Sequence, residues 1–122
     1  MPQRRKPTEP QIQPKLTRLI CSRAEAQEKI QAQISKGQEL LARQIRTEAE
    51  LSKSRADRTS WSQYNHELLL RLFDNTTIAD EYDYVGIGFW SMNPSFEEKV
   101  HNLRSDIQDN INRLVSIVPG SS

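Results

Sequence analysis

The segment from Trp61 to Tyr84 constrains this chain more than any other, because it is the densest apolar segment of the sequence. Its apolar and boundary residues recur at helical spacing and fall on one wide stripe. The stripe comprises Trp61, Tyr64, Asn65, Leu68, Leu69, Leu72 and Phe73. A stripe of this width has to be buried, so the sequence predicts a helix that packs into a core.

The composition favours long amphipathic helices with much solvated surface. Hydrophobic residues make up 35% of the 122 residues, which is below the roughly 45–50% of an average globular domain. We expect an arm over residues 1–15, one helical domain over 16–118 and a polar end at 119–122. A core of this size leaves little room for a large active-site cleft.

The net charge of +1 is unevenly distributed. The balance is +4 over residues 1–18, +2 over 19–73 and −5 over 74–122. A DNA-binding face needs clustered cations, so the acidic C-terminal part argues against nucleic acid as the main ligand of the helical domain. The proline-rich arm is the candidate nucleic-acid contact, through Arg4, Arg5 and Lys6; the alternative is a solvated tail.

Cysteine content and hydropathy predict a cytoplasmic protein. Cys21 is the only cysteine, which excludes an intramolecular disulfide and a paired-cysteine zinc site. No apolar run approaches the roughly 18 residues of a membrane span, and residues 1–10 lack the apolar core of a signal peptide.

A first helix is predicted over residues 22–46, where Ser22 and Glu25 match a capping box. A narrow apolar seam runs along one face of this helix and consists of Ile30, Ile34, Leu41 and Ile45. Such a seam resembles that of a coiled coil, so we predict a partner surface there, and self-association of two copies through it. Gly37 interrupts the seam and marks either a close helix–helix approach or a weak point.

A second helix is predicted over residues 48–73. Thr47 and Glu50 match another capping box, but no Gly or Pro separates them from the first helix. One continuous helix over 22–73 is therefore the alternative. Residues 52–60 have almost no apolar content and fit an exposed helical turn or a loop.

Two features are predicted between this helix and the last one. Thr77 is placed to cap a short helix near 77–83. Residues 85–93 alternate apolar residues with glycine and predict an ordered aromatic loop. Its Phe89 and Trp90 either insert into the core or face a partner.

The last main helix is predicted over residues 94–118, with Asn93 as its cap and Pro94 in its first turn. Heptad spacing is carried by Val100, Leu103, Ile107, Leu114 and Ile117. Asn110 occupies a seam position beside Ile111, so either the helix rotates slightly or a buried Asn selects a register.

The chemical signals do not assemble into a catalytic, cofactor or metal site. Gly86 and Gly88 lack the third Gly and the Lys-Ser/Thr pair of a phosphate loop. The two imidazoles, His66 and His101, lack metal-ligand spacing, and His66 is interpreted as a residue at the edge of the stripe. An acidic group, made of Asp80, Glu81 and Asp83, is interpreted as a solvated rim.

The run WSQYNHELLLRLFD, the later IADEY and the helix LRSDIQDNINRL resemble a helical segment of bacterial proteins. In that family it precedes a Toll/interleukin-receptor-like nucleotide-binding domain. The resemblance covers residues 30–118 and implies an oligomerisation or sensing module. The NAD-processing domain of such proteins lies downstream, so the resemblance assigns no catalytic residue to this chain.

Together these patterns predict an all-α fold in which three main helices form an antiparallel bundle or coiled-coil-like hairpin. They also predict a non-catalytic interaction or oligomerisation module that binds a protein partner or a second copy, without a cofactor and without a membrane. The alternative function is a small nucleic-acid-associated protein that uses its basic arm. An enzyme is the least favoured reading, because no nucleophile–base pair stands out.

Overall fold

The computed structural model of the chain describes residues 18–83 and 92–118. Within these ranges the chain is all-α, as predicted, and its elements are α1 (Arg23–Ala42), α2 (Glu48–Leu72), α3 (Thr77–Asp83) and α4 (Phe96–Ile117). No strand occurs in the described part, where a lone antiparallel bridge joins Leu19 to Phe73. The arm, the aromatic loop with Phe89 and Trp90, and the polar C-terminal end lie outside the described residues.

Helix α1 begins as predicted and ends early. The Ser22 hydroxyl accepts a hydrogen bond from the Glu25 amide at 3.0 Å. Only this half of the predicted capping box forms, and the Glu25 carboxylate lies 3.4 Å from the Lys29 ammonium instead. The helix ends at Ala42, not at residue 46. The segment before it pairs with the end of α2: the Ile20 amide donates to the Leu72 carbonyl at 2.9 Å.

Residues 22–73 form two helices, because the helical conformation is interrupted between α1 and α2 although no Gly or Pro lies there. The capping box at Thr47 forms in both directions. The Glu50 carboxylate accepts from the Arg46 amide at 2.7 Å and from the Thr47 amide at 3.1 Å. These bonds satisfy amides that a continuous helix would have directed to the preceding turn.

A polar contact ties the two sides of this break together. The Arg43 guanidinium lies 2.7 Å from the Asp57 carboxylate, and the Lys53 ammonium lies 3.3 Å from the same group. The hydrogen bond from Arg43 is the main cause that lowers the pKa of Asp57, with Lys53 acting in the same direction. Arg43 therefore has an extended backbone just after α1, while its side chain binds Asp57 of α2.

The caps of α3 and α4 differ from the predicted ones. Thr77 is the first helical residue of α3, so it is not the residue that precedes the helix. Ser95, not Asn93, caps α4, and it forms a complete capping box with Glu98. The prediction for α4 was wrong because Ser-x-x-Glu satisfies two amides, whereas Asn93 followed by Pro94 offers no such reciprocal pair.

The core confirms the residues that the stripe and the heptad singled out. Trp61 and the leucines of the stripe are buried, as are Leu103, Ile107 and Leu114 of α4. Tyr64 and Ile117 are the exceptions, since 49% of Tyr64 is exposed and Ile117 is only partly buried. Residues 52–60 are helical and contribute the buried Ser54. Helix α1 packs on both α2 and α4.

Trp61 and Gly37 determine how closely α1 approaches the other helices. The indole N–H of Trp61 donates to the Gln33 carbonyl at 3.0 Å. A Cβ placed on Gly37 would lie 2.6 Å from Trp61 Cζ2 and 2.8 Å from Ile111 Cγ1. Of the two interpretations of Gly37, the close helix–helix approach is therefore correct.

Within the described ranges, no helix combines the length and the apolar character that crossing a membrane requires.

Candidate functional site

A small cationic groove lies between α2 and α4. Its volume is about 220 Å³. The groove is lined by Arg55, Arg58 and Thr59 of α2 and by Lys99, Asn102, Leu103 and Asp106 of α4. Residues three and four apart share one face of a helix, so each helix contributes one continuous side to the groove. We name this feature the α2–α4 groove.

Cations dominate the electrostatics of the groove, with three basic side chains against the single carboxylate of Asp106. Lys99 Nζ lies 3.9 Å from the exposed Glu48 carboxylate, a separation at which a solvated pair contributes little. Arg55 is exposed and makes no ion pair with the residues that the structure describes. The groove therefore offers positive charge that the described residues neutralise only in part.

Arg58 is held in place by a buried amide. Its Nε and Nη2 both donate to Asn110 Oδ1, at 3.2 and 3.0 Å. Asn110 is only 4% exposed, and its neighbour Ile111 is buried as well. Both residues of the ambiguous seam position thus face inward, and the buried Asn contacts an arginine of its own chain.

A second polar recess, of about 410 Å³, lies between α2 and α3. Its lining consists of Ser62, Gln63, His66, Glu67 and Asp83. His66 Nδ1 lies 2.7 Å from the Asp83 carboxylate, and His66 is half-buried, in line with its predicted position at the edge of the stripe. Below the recess, the fully buried Asn65 donates to the Tyr82 hydroxyl at 2.9 Å. Burial raises the pKa of Tyr82.

Ser62, His66 and Asp83 have the residue types of a hydrolytic triad, a combination that the sequence analysis missed. A triad also needs amide donors aimed at the oxyanion of the intermediate. Ser62 lies inside α2, where backbone amides donate to the preceding helical turn. The described residues of this recess join α3 to α2 through the His66–Asp83 and Asn65–Tyr82 contacts.

The predicted partner seam on α1 is used within the chain. Ile30 and Ile34 are 0% and 5% exposed. Leu41 and Ile45 are partly buried and pack against the same core. In this fold the seam therefore faces α2 and α4, because α1 lies across both helices and their combined length covers it.

The remaining predicted residues are separate from the groove. Asp80 and Glu81 are exposed on α3, and Asp83 contacts His66 as described above. The described part of the chain contains no group of three or more metal-ligating side chains. The glycines Gly86 and Gly88 and the basic cluster of Arg4, Arg5 and Lys6 lie outside the described residues.

Sequence reasoning missed the groove because its basic residues are distant in the chain. Arg55 and Arg58 share a helix face, which the spacing alone indicates, but Lys99 joins them only when α4 packs on α2. The usable signal was a helical face with two arginines and almost no apolar residue over residues 52–60.

Comparison with known proteins adds no relative. The chain matches no protein-family model, no curated protein and no solved structure. The resemblance to the helical segment that precedes Toll/interleukin-receptor-like domains therefore stays a prediction.

Proposed function

We propose that this chain is a non-catalytic helical interaction module, built as an antiparallel bundle, that binds an acidic group of a protein partner in the α2–α4 groove. The contacts between α1 and α2 support the antiparallel arrangement. Gln33 contacts Trp61, and the later Arg43 contacts the earlier Asp57, which is the order of contacts expected for antiparallel helices.

The observation that carries the proposal is the groove itself. Three cations from two helices converge on one recess, and the described residues supply one carboxylate to it. Like charges that converge repel one another, so an anionic ligand relieves that repulsion as well as adding its own hydrogen bonds. A protein carboxylate or a similar acidic group has this chemistry.

The form of the groove favours a protein partner over nucleic acid. A nucleic-acid surface needs a basic stripe that follows several phosphates. Here the basic site is short, Asp106 lies within it and Glu48 lies beside Lys99. Over residues 74–122 the charge balance is −5, which repels an extended polyanion.

The test uses hexaglutamate as the probe and two-dimensional amide NMR as the readout. We expect hexaglutamate to shift resonances at Arg55, Arg58 and Lys99, and the charge reversal Lys99→Glu to abolish the shifts. Lys36→Glu is the matched control, because Lys36 is exposed on α1 and is not part of the groove lining. It should leave binding unchanged.

Two outcomes would overturn the proposal. One is the absence of any shift at the groove with every anionic probe, hexaglutamate included. The other is tight binding of a single-stranded RNA that survives Lys99→Glu but is lost when Arg4, Arg5 and Lys6 are changed to Ala. That result, with a steep dependence on salt, would establish the nucleic-acid alternative.

A further inference from the structure

We infer that the group bound in the α2–α4 groove is a phosphate monoester carried by a protein side chain, and that Asn110 positions Arg58 to receive it. The inference rests on the proposed function, since it names the chemical class of the ligand at the same groove. It is derived from the size of the groove, its charge and the way in which Arg58 is held.

The size of the groove favours a small ligand group. Pockets for drug-sized ligands occupy roughly 300–1,000 Å³, whereas the groove measures about 220 Å³. Thr59 and Asn102 line it together with the cations and add a hydroxyl and an amide as hydrogen-bond donors. A tetrahedral oxyanion has enough acceptor oxygens to use donors from both helices at once.

Charge favours a phosphate over a carboxylate. With three cations and the Asp106 carboxylate, the lining carries a formal charge of +2. A phosphate monoester carries about −1.5 to −2 at pH 7. A carboxylate carries a single negative charge, so it would leave part of the positive charge in the groove uncompensated.

Asn110 orients Arg58 without neutralising it. A guanidinium has five N–H donors, and two of its nitrogens, Nε and Nη2, donate to the one amide oxygen of Asn110. The plane of the guanidinium is thereby fixed while its charge remains available, because an amide is neutral. Preorganisation of this kind reduces the entropy lost on binding. An aspartate at the same place would fix Arg58 equally well but cancel its charge.

The experiment compares phenyl phosphate with benzoate, two probes that differ in the anionic group. At pH 7.5 we expect phenyl phosphate to bind about tenfold more tightly, with shifts at Arg58 Nε–H and at the Asn110 side-chain amide. Between pH 7.5 and 5.5 its affinity should fall roughly fourfold, since the second pKa of a phosphate monoester is near 6. Benzoate should bind equally at both pH values, because carboxyl groups titrate near pH 4.

The groups that face the probe are the Arg55, Arg58 and Lys99 cations and the Asp106 carboxylate, with Glu48 next to Lys99. Neither histidine of the chain is part of the lining that the structure describes. The pH dependence is therefore assigned to the phosphate. Asp106→Asn, which removes the opposing carboxylate, should keep the same pH dependence at higher affinity.

Two single-charge variants test the inference: Asn110→Asp tests the role of Asn110, and Asp106→Asn tests the charge of the groove. Asn110→Asp should weaken phenyl phosphate binding about fivefold or more, and Asp106→Asn should strengthen it by a similar factor. Both effects should be smaller for benzoate. If Asn110→Asp leaves phosphate affinity unchanged while circular dichroism shows a folded protein, Asn110 does not act through Arg58 and the inference is wrong. Where Asn110→Asp fails to fold, Arg58→Lys replaces it and should cause the same loss.

The outcomes separate this inference from the function on which it rests. Equal, pH-independent binding of both probes would overturn the phosphate assignment and leave an acidic-group module standing. Binding of hexaglutamate alone would do the same, and no binding of any probe would overturn both. A Gly-phosphoserine-Gly peptide should displace phenyl phosphate better than a uridine trinucleotide or phosphatidic acid vesicles. The reverse order would contradict a protein source of the phosphate.

Discussion

Gly37 shows how a single residue can set the distance between helices. In the sequence it interrupts an apolar seam at a cost of about 1 kcal/mol relative to Ala. In the structure it lies under the Trp61 indole and beside Ile111, where a methyl group has no space. The indole is also held by its hydrogen bond to the Gln33 carbonyl, so it cannot easily move aside.

Gly37→Ala is therefore expected to destabilise the protein in spite of its higher helix propensity. We expect the free energy of unfolding to fall by about 1–3 kcal/mol, the usual cost of overpacking a core. Urea denaturation followed by circular dichroism measures it. Ser35→Ala, at an exposed position of the same helix, should stay within about 0.5 kcal/mol of the wild type. A Gly37→Ala protein more stable than the wild type would contradict the close approach.

At the scale of the element, helix ends depend on reciprocal hydrogen bonds more than on single capping residues. Glu50 and Glu98 each complete a box with a hydroxyl three residues earlier, and both boxes begin a helix. The Glu50 carboxylate also binds the Arg46 amide, which contributes to ending the helical path before α2. A helix can thus end where the amides that follow it donate to a side chain of the next helix, as the Arg46 and Thr47 amides donate to Glu50.

The start of α4 provides a paired test. Ser95→Ala removes the acceptor of the Glu98 amide, a bond of 3.1 Å, and should cost about 1 kcal/mol of stability. Asn93→Ala changes an exposed residue before the helix and should be neutral to within about 0.5 kcal/mol. Thermal melts of the two variants decide between the caps. A larger loss for Asn93→Ala would restore Asn93 as the cap.

For the whole molecule, burial of the α1 seam changes the expectation about self-association. That hypothesis depended on a seam too long for one chain to cover. Ile30 and Ile34 are covered by the chain's own helices, so the apolar surface that would join two copies through this seam is already used. The α2–α4 groove, with its three cations, is then the surface feature that we propose for partner binding.

We accordingly expect a monomer in sedimentation experiments at tens of micromolar. Ile34→Ala should lower the free energy of unfolding by about 2–5 kcal/mol, as for a core truncation, and leave the sedimented mass unchanged. Gln38→Ala, an exposed change on the same helix, is the control for stability. A wild-type dimer that Ile34→Ala dissociates would show instead that the seam joins two chains.

The sequence by itself determined the helices and most of the core. Helical periodicity depends on residues three and four apart, and capping boxes on residues three apart, so both can be read locally. This is why the all-α class, the range of α3 and the burial of Leu68, Leu72 and Leu114 were predicted. The start of α2 was one of two alternatives, since one continuous helix over 22–73 was the other. The caps of α3 and α4 were predicted wrongly because neighbouring residues can also cap a helix. Only the hydrogen bonds formed in the folded protein decide between them.

Tertiary structure decided which side of each helix meets which neighbour. Lys99 lies more than forty residues from Arg55 and Arg58 in the chain, and Asn110 reaches Arg58 only because α4 packs on α2. The side of α1 that carries Ile34 could equally have met a second chain, because periodicity identifies an apolar face but not the surface that covers it. The groove and the fate of the seam therefore depend on packing between distant segments, and local sequence patterns do not contain that information.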